Sequence, residues 1–228
     1  VVFLSGLSGS KELPLFENAS AVFLKQGFST LMLNFCGDED DKRKYPKALQ
    51  LSDISFSVYT TELKNVLDVV GKKYTNIILV GHSFGTPVSI MFLNKYKNYA
   101  SKTQLVIWDP TLLPWKKEWM EEDYAFNSVK GLYIEKDAKD PEIINKTFYQ
   151  EFINMENTAR IFGKLNQKTC IVGAEKGITK NTKEYFARLT KRAQKSSPLF
   201  FIKGANHLFD GKRVQKELFE KTLEFLKN

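Results

Sequence analysis

Histidine and cysteine are nearly absent from this chain, with two of each in 228 residues. A structural zinc takes about four ligands of those types, and a disulfide framework needs a denser, regularly spaced set of cysteines. No metal and no organic cofactor is therefore expected. Cys36 and Cys170 lie far apart, and Cys170 falls inside an apolar run, where a thiol serves as a small core side chain. That usage suits a reducing compartment and gives a cytoplasmic expectation. Long apolar runs are missing as well. None approaches the roughly 20 residues that span a bilayer, and none has the layout of a signal peptide. Val1 opens the chain inside an apparent strand, which leaves room for a leader or further strands removed ahead of it.

Negative charge is also in deficit, with 26 Asp+Glu against 34 Lys+Arg and a net charge of +8. Residues 1–108 carry 12 basic and 9 acidic side chains, residues 109–168 carry 9 and 11, and residues 169–228 carry 13 and 6. The excess therefore sits in the last quarter, on helix-like stretches where lysines read as solvated faces. No aromatic-basic motif accompanies it, so a specific nucleic-acid partner is not expected. A general attraction of anionic substrates or surfaces is compatible with the charge.

What the chain has in quantity is apolar side chains, 43% of the total, enough at this length for one sizeable core and a single domain over 1–228. Their order is informative. Val1–Leu4, Phe28–Phe35, Asn76–Val80, Gln104–Trp108, Thr169–Gly173 and Leu199–Ile202 read as buried strands. Helical periods run over Leu15–Gln26, Ile54–Val70, Val88–Tyr96, Lys183–Ala193 and Val214–Leu226. Continuous apolar strands alternating with helices predict a mostly parallel sheet covered on both faces.

Gly81-His82-Ser83-Phe84-Gly85 joins the third of these strands to the helix that follows. A serine flanked by glycines at such a turn has the form of a nucleophile elbow. The hydroxyl projects from the top of the sheet only if the backbone is strained, with positive φ at Ser83. The helix then passes close to the strand, and small residues at 81 and 85 leave it room. A serine nucleophile needs a base. His82, adjacent to Ser83, cannot fold back to it, so His207 is the one imidazole left. It lies in Gly204-Ala205-Asn206-His207-Leu208-Phe209, after the last strand and before the last helix.

About sixty residues separate Trp108 from Thr169, far more than an ordinary connection. Residues 110–168 read as a cap over the carboxyl edge of the sheet. Their aromatics, Trp115, Trp119, Tyr124, Phe126, Tyr133, Phe148 and Tyr149, are expected to wall a substrate pocket or to pack a small core of the cap's own.

With an elbow, a late histidine and an insertion before the penultimate strand, the chain resembles the α/β-hydrolases over nearly its whole length. It is most similar to bacterial serine carboxylesterases of the feruloyl or cinnamoyl esterase type. Ser5-Gly6-Leu7-Ser8-Gly9-Ser10-Lys11 resembles their oxyanion loop, Asn34-Phe35-Cys36-Gly37 their aromatic-x-Gly turn, and the loop around His207 their histidine loop. The usual first two strands are not visible. The resemblance implies Ser83 as nucleophile, His207 as base and then acid, and the backbone N–H groups of Leu7 and Phe84 as oxyanion hole. The third member is less plain. The family usually has Gly-x-x-Asp after the penultimate strand, and this chain has Gly173-Ala174-Glu175-Lys176-Gly177. Glu175 is the nearest carboxylate and the expected orienter of His207, with Asp109, at the end of the strand before the insertion, as rival. The implied function is a carboxylesterase that takes a small-molecule acyl ester through an acyl-enzyme. A thioesterase, a serine peptidase and a noncatalytic binding protein of the same fold are the alternatives.

Overall fold

Residues 1–7, 9–35, 37, 49, 51–111, 117–139, 141–154, 156–178, 183, 187 and 197–227 are described by a computed structural model. Four strands come first, β1 (Val2–Leu4), β2 (Leu31–Leu33), β3 (Ile77–His82) and β4 (Thr103–Trp108). After β5 (Tyr124–Asn127), β6 (Leu132–Glu135) and β7 (Ile143–Asn145), the chain returns in β8 (Thr169–Ala174) and β9 (Leu199–Ile202). The main sheet runs β2-β1-β3-β4-β8-β9, with every neighbouring pair parallel. The helices are α1 (Pro14–Lys25), α2 (Phe56–Val70), α3 (Gly85–Lys95), α4 (Lys97–Ala100), α5 (Lys117–Asp123), α6 (Lys146–Ile153), α7 (Glu156–Phe162) and α8 (Lys212–Lys227).

Strand side chains alternate between two cores, as a period of two requires. Leu4, Leu79, Leu105 and Ile107 face α2 and α3, while Phe3, Val80, Val106 and Trp108 face α1 and α8. The second strand is shorter than the apolar run 28–35 suggests. Among the described residues its partner in the sheet is β1, which has three residues, and the ladder Val2–Leu31 to Leu4–Leu33 ends with it. Of the helix expected over 183–193 only residues 183 and 187 are described, and Ser8, Cys36, Trp115 and the acidic stretch 38–41 lie outside the described residues. Cys170 is buried in β8, and burial pushes its thiol up to about 12. Among the described residues, no helix is long and apolar enough to cross a membrane.

The segment between β4 and β8 builds an antiparallel sheet, β5-β6-β7, with α5, α6 and α7. One asparagine fastens it to the main body. The side chain of Asn145 caps α6 by accepting from Phe148 N–H (2.8 Å), and its amide donates to the carbonyls of Ser52 (3.0 Å) and Ile54 (2.7 Å). Such a cap contributes about 1 kcal/mol. Two turns along, Glu151 accepts from the Phe56 N–H at the start of α2 (2.7 Å). The aromatics of this segment largely pack rather than wall a pocket. Tyr124, Phe148 and Tyr149 are buried in the same core as Phe84. The ring of Phe148 lies 5.7 Å from that of Phe84, and that of Phe152 5.4 Å. Tyr149 stacks on Tyr133, while Phe126 is half exposed. Burying large rings is strongly favourable, and α6 offers them directly to the residue after Ser83.

Candidate active site

At the carboxyl end of β3 the chain passes from strand to helix across two residues, Ser83 and Phe84. Ser83 stands at φ +51°, the left-handed region that a non-glycine residue enters only under constraint. Its N–H extends the ladder to the Trp108 carbonyl (3.1 Å). A Cβ at position 85 would lie 2.3 Å from the Leu4 carbonyl oxygen, and one at 81 would lie 2.7 Å from the Gly85 carbonyl oxygen. Glycine is the residue that fits both places. The Thr86 hydroxyl donates to the Gly81 carbonyl (3.0 Å), which ties the first turn of α3 back to the strand.

Two loops flank the serine. On the β1 side, Gly6 comes so close that a Cβ there would sit 3.2 Å from Ser83 Cβ and 3.4 Å from Oγ, and Leu7 follows it. Phe84 caps the N-terminus of α3, where backbone N–H groups have no helical partner and favour negative charge. On the β4 side, Thr111 Oγ1 lies 3.2 Å from Ser83 Oγ, and Thr111 N–H donates to the Ser83 carbonyl (3.3 Å).

His207 arrives from the loop between β9 and α8 and is held from two directions. Its Nδ1–H donates to Asp109 Oδ2 at 2.6 Å, which leaves Nε2 as the basic nitrogen. Its backbone carbonyl accepts from His82 Nε2–H at 2.8 Å. The two imidazole rings lie 4.8 Å apart. A carbonyl accepts only, so His82 carries its proton on Nε2 and its Nδ1 is bare. Among the described residues that Nδ1 is buried without a hydrogen-bond partner. Burial, reinforced by the neighbouring His207, holds the His82 imidazole down at about 4, so it stays neutral in this packing.

The carboxylate beside His207 is Asp109, which corrects the expectation for Glu175. Asp109 is fully buried at φ +37°, just past the end of β4. Its Oδ1 accepts from Ala174 N–H (3.1 Å), and its Oδ2 from Ile178 N–H (2.8 Å) as well as from His207. Glu175 is exposed, and its Oε2 accepts from the backbone N–H of Gly204 (2.7 Å). The turn after β8 thus faces the backbone of the histidine loop, while the turn after β4 reaches across it to the ring. Gly177 makes this possible. A Cβ there would fall 2.1 Å from Asp109 Oδ2, so a side chain at 177 and the Asp109 carboxylate cannot share the space.

Ser83, His207, Leu7 and Phe84 are therefore gathered at one edge of the sheet, and Glu175 stands apart from the ring it was expected to orient. Thr111 had no place in the sequence reading. The signal for it was a hydroxyl two residues past Asp109, in the turn that follows the strand adjacent to the elbow strand.

No protein-family model matches the chain, and no curated protein matches it either. Solved structures do. Est1E from Butyrivibrio proteoclasticus, with ferulic acid bound, aligns at a TM-score of 0.74 and 16% identity, covering 100% of this chain and 89% of its own. A structure from work on the metagenome-derived lipolytic enzymes LipS and LipT aligns at 0.72 and 10% identity, covering 99% and 92%. The monoacylglycerol lipase of Paleococcus ferrophilus aligns at 0.69 and 15% identity, again covering 99% and 92%. This chain has the fold of the α/β-hydrolases, with a parallel six-stranded sheet and helices.

Proposed function

We propose that the protein is a serine hydrolase that cleaves a carboxylic ester through an acyl-enzyme. The observation that carries this reading is the 2.6 Å hydrogen bond from His207 to a buried Asp109, one loop away from a strained, accessible Ser83. Asp109 fixes the tautomer and stabilises the imidazolium that forms when Nε2 takes the Ser83 proton. Ser83 Oγ attacks the ester carbonyl, and the N–H groups of Leu7 and Phe84 stabilise the oxyanion. Nε2 then returns the proton to the departing alcohol. A water activated by the same nitrogen releases the acid and regenerates the serine. Residues 110–168 act as the cap that selects the acyl group, through surfaces that their buried rings hold in place. An aromatic or medium-length acyl chain is the class proposed.

A fluorophosphonate probe followed by peptide mapping tests the reading, together with hydrolysis of p-nitrophenyl acetate. Label is expected on Ser83. Ser83→Ala and His207→Ala are each expected to lower turnover on the order of a million-fold. A folded wild-type protein that takes up no label would refute the proposal. Exchange of the cap is expected to change the ranking of acetyl, hexanoyl and cinnamoyl esters more than the acylation rate on the acetyl ester. An unchanged ranking in a folded variant would remove the cap from specificity.

A further inference from the structure

Ser83 Oγ and Thr111 Oγ1 share a hydrogen bond in which either hydroxyl can donate, and whenever Ser83 donates, its one proton is withheld from His207 Nε2. In the structure the 3.2 Å contact is to Thr111, and no hydrogen bond joins Ser83 to His207. Thr111 is well placed to hold on. Its N–H donates to the Ser83 carbonyl, its side chain is buried, and the β-branched side chain has few χ1 states to choose from. The turn that carries it is rigid, with Asp109 at φ +37° and then Pro110, whose ring fixes φ. One three-residue turn therefore holds the base through Asp109 and the nucleophile through Thr111.

We propose that Thr111 is a positioning residue for Ser83, whose hydroxyl keeps the nucleophile in a resting rotamer turned away from His207. This rests on the serine-hydrolase reading. Attack then requires the Ser83–Thr111 bond to break so that the proton can pass to His207. Removal of the Thr111 hydroxyl should make acylation faster, whereas loss of a merely structural contact should make it slower. The sign of the effect discriminates.

The test is the second-order rate of fluorophosphonate labelling, in which Ser83 Oγ bonds to phosphorus, fluoride leaves and the proton goes to His207. Thr111→Val keeps the shape and deletes the hydroxyl, and its labelling rate should rise about two- to tenfold, the worth of one net hydrogen bond. Thr111→Ser keeps a hydroxyl and should stay within about twofold of wild type, by the same reckoning. The pH profile of labelling should be the same in all three proteins. A Thr111→Val protein that is folded by circular dichroism and labels no faster than wild type overturns the proposal, as does a Thr111→Ser protein as fast as Thr111→Val. Should Thr111→Val not fold, Thr111→Ala carries the same expectation. A wild type that fails to label refutes the hydrolase reading itself, whereas normal wild-type labelling with no acceleration refutes only the role of Thr111.

Discussion

Two turns at the same edge of the sheet each present a carboxylate toward the loop that carries His207. They treat it differently. Asp109, past β4, is fully buried and accepts from two backbone N–H groups as well as the imidazole. Glu175, past β8, is exposed and accepts from the backbone of Gly204. A carboxylate in water loses much of its effect to screening. A buried one bonded by three donors is held in a fixed direction. Having a carboxylate after the expected strand is thus a poorer guide than whether the turn can bury it against the ring.

The comparison breaks most visibly at Asp109. Asp109→Asn should lower turnover on the order of ten-thousand-fold, because the amide permits the wrong His207 tautomer and cannot stabilise the imidazolium. Steady-state kinetics on p-nitrophenyl acetate, with folding checked by circular dichroism, measures it. A mild loss would take Asp109 out of the mechanism. Next in size is Gly177→Ala. Its methyl group would stand where Asp109 Oδ2 now lies and would crowd Ala174 Cβ, 2.8 Å away. A displaced orienting group costs on the order of a hundredfold in rate. Labelling at Ser83 should slow in parallel, and a Gly177→Ala protein with wild-type kinetics would show that the turn after β8 yields freely.

Much of this was legible in the amino-acid order. The elbow, the parallel strands and the late histidine follow from glycine placement, apolar runs and the scarcity of imidazole, each a local property. Which carboxylate meets the ring was legible only as a choice between Glu175 and Asp109, because it depends on how two turns from different strands share one volume. Nothing near Gly177 in sequence announces that its missing side chain makes room for Asp109. The packing of Phe148 and Phe152 onto Phe84 was hidden for the same reason. Aromatic content says that rings are present, and only the fold says whether they line a space or fill it.

His82 sharpens the contrast between the two sides of His207, since it holds the backbone of that residue as Asp109 holds the ring. Its imidazole, held at about 4 by burial and by the neighbouring His207, would titrate near 6.5 when unfolded. Between those values the unfolded chain binds a proton that the folded chain does not. Stability should therefore be full above about pH 6.5 and fall as the pH drops toward 4, by up to on the order of 3 kcal/mol. Urea unfolding at pH 7 and pH 4.5 measures the slope, and His82→Gln should flatten it. An equal slope in wild type and variant would assign the acid sensitivity to other groups. The amide can still donate to the His207 carbonyl, so His82→Gln should cost far less activity than His207→Ala.

The smallest effect belongs to Glu175, and it decides whether the two turns really divide the work. Its carboxylate anchors the N–H of Gly204, which stands at φ +76° three residues before His207. Glu175→Gln keeps an oxygen that can accept that bond, so turnover should fall no more than about threefold. Glu175→Ala deletes the acceptor and should lower stability by about 1 kcal/mol, the net worth of such a bond. Any loss of turnover should then come from a looser histidine loop, which glycerol or lower temperature would lessen. Matched pH–rate profiles and melting curves for both variants separate the cases. Should Glu175→Gln cost a thousandfold while Asp109→Asn is mild, the assignment reverses and the exposed turn orients the base. Should both be mild, His207 works from its backbone anchor and its contact with His82, without a carboxylate to orient it.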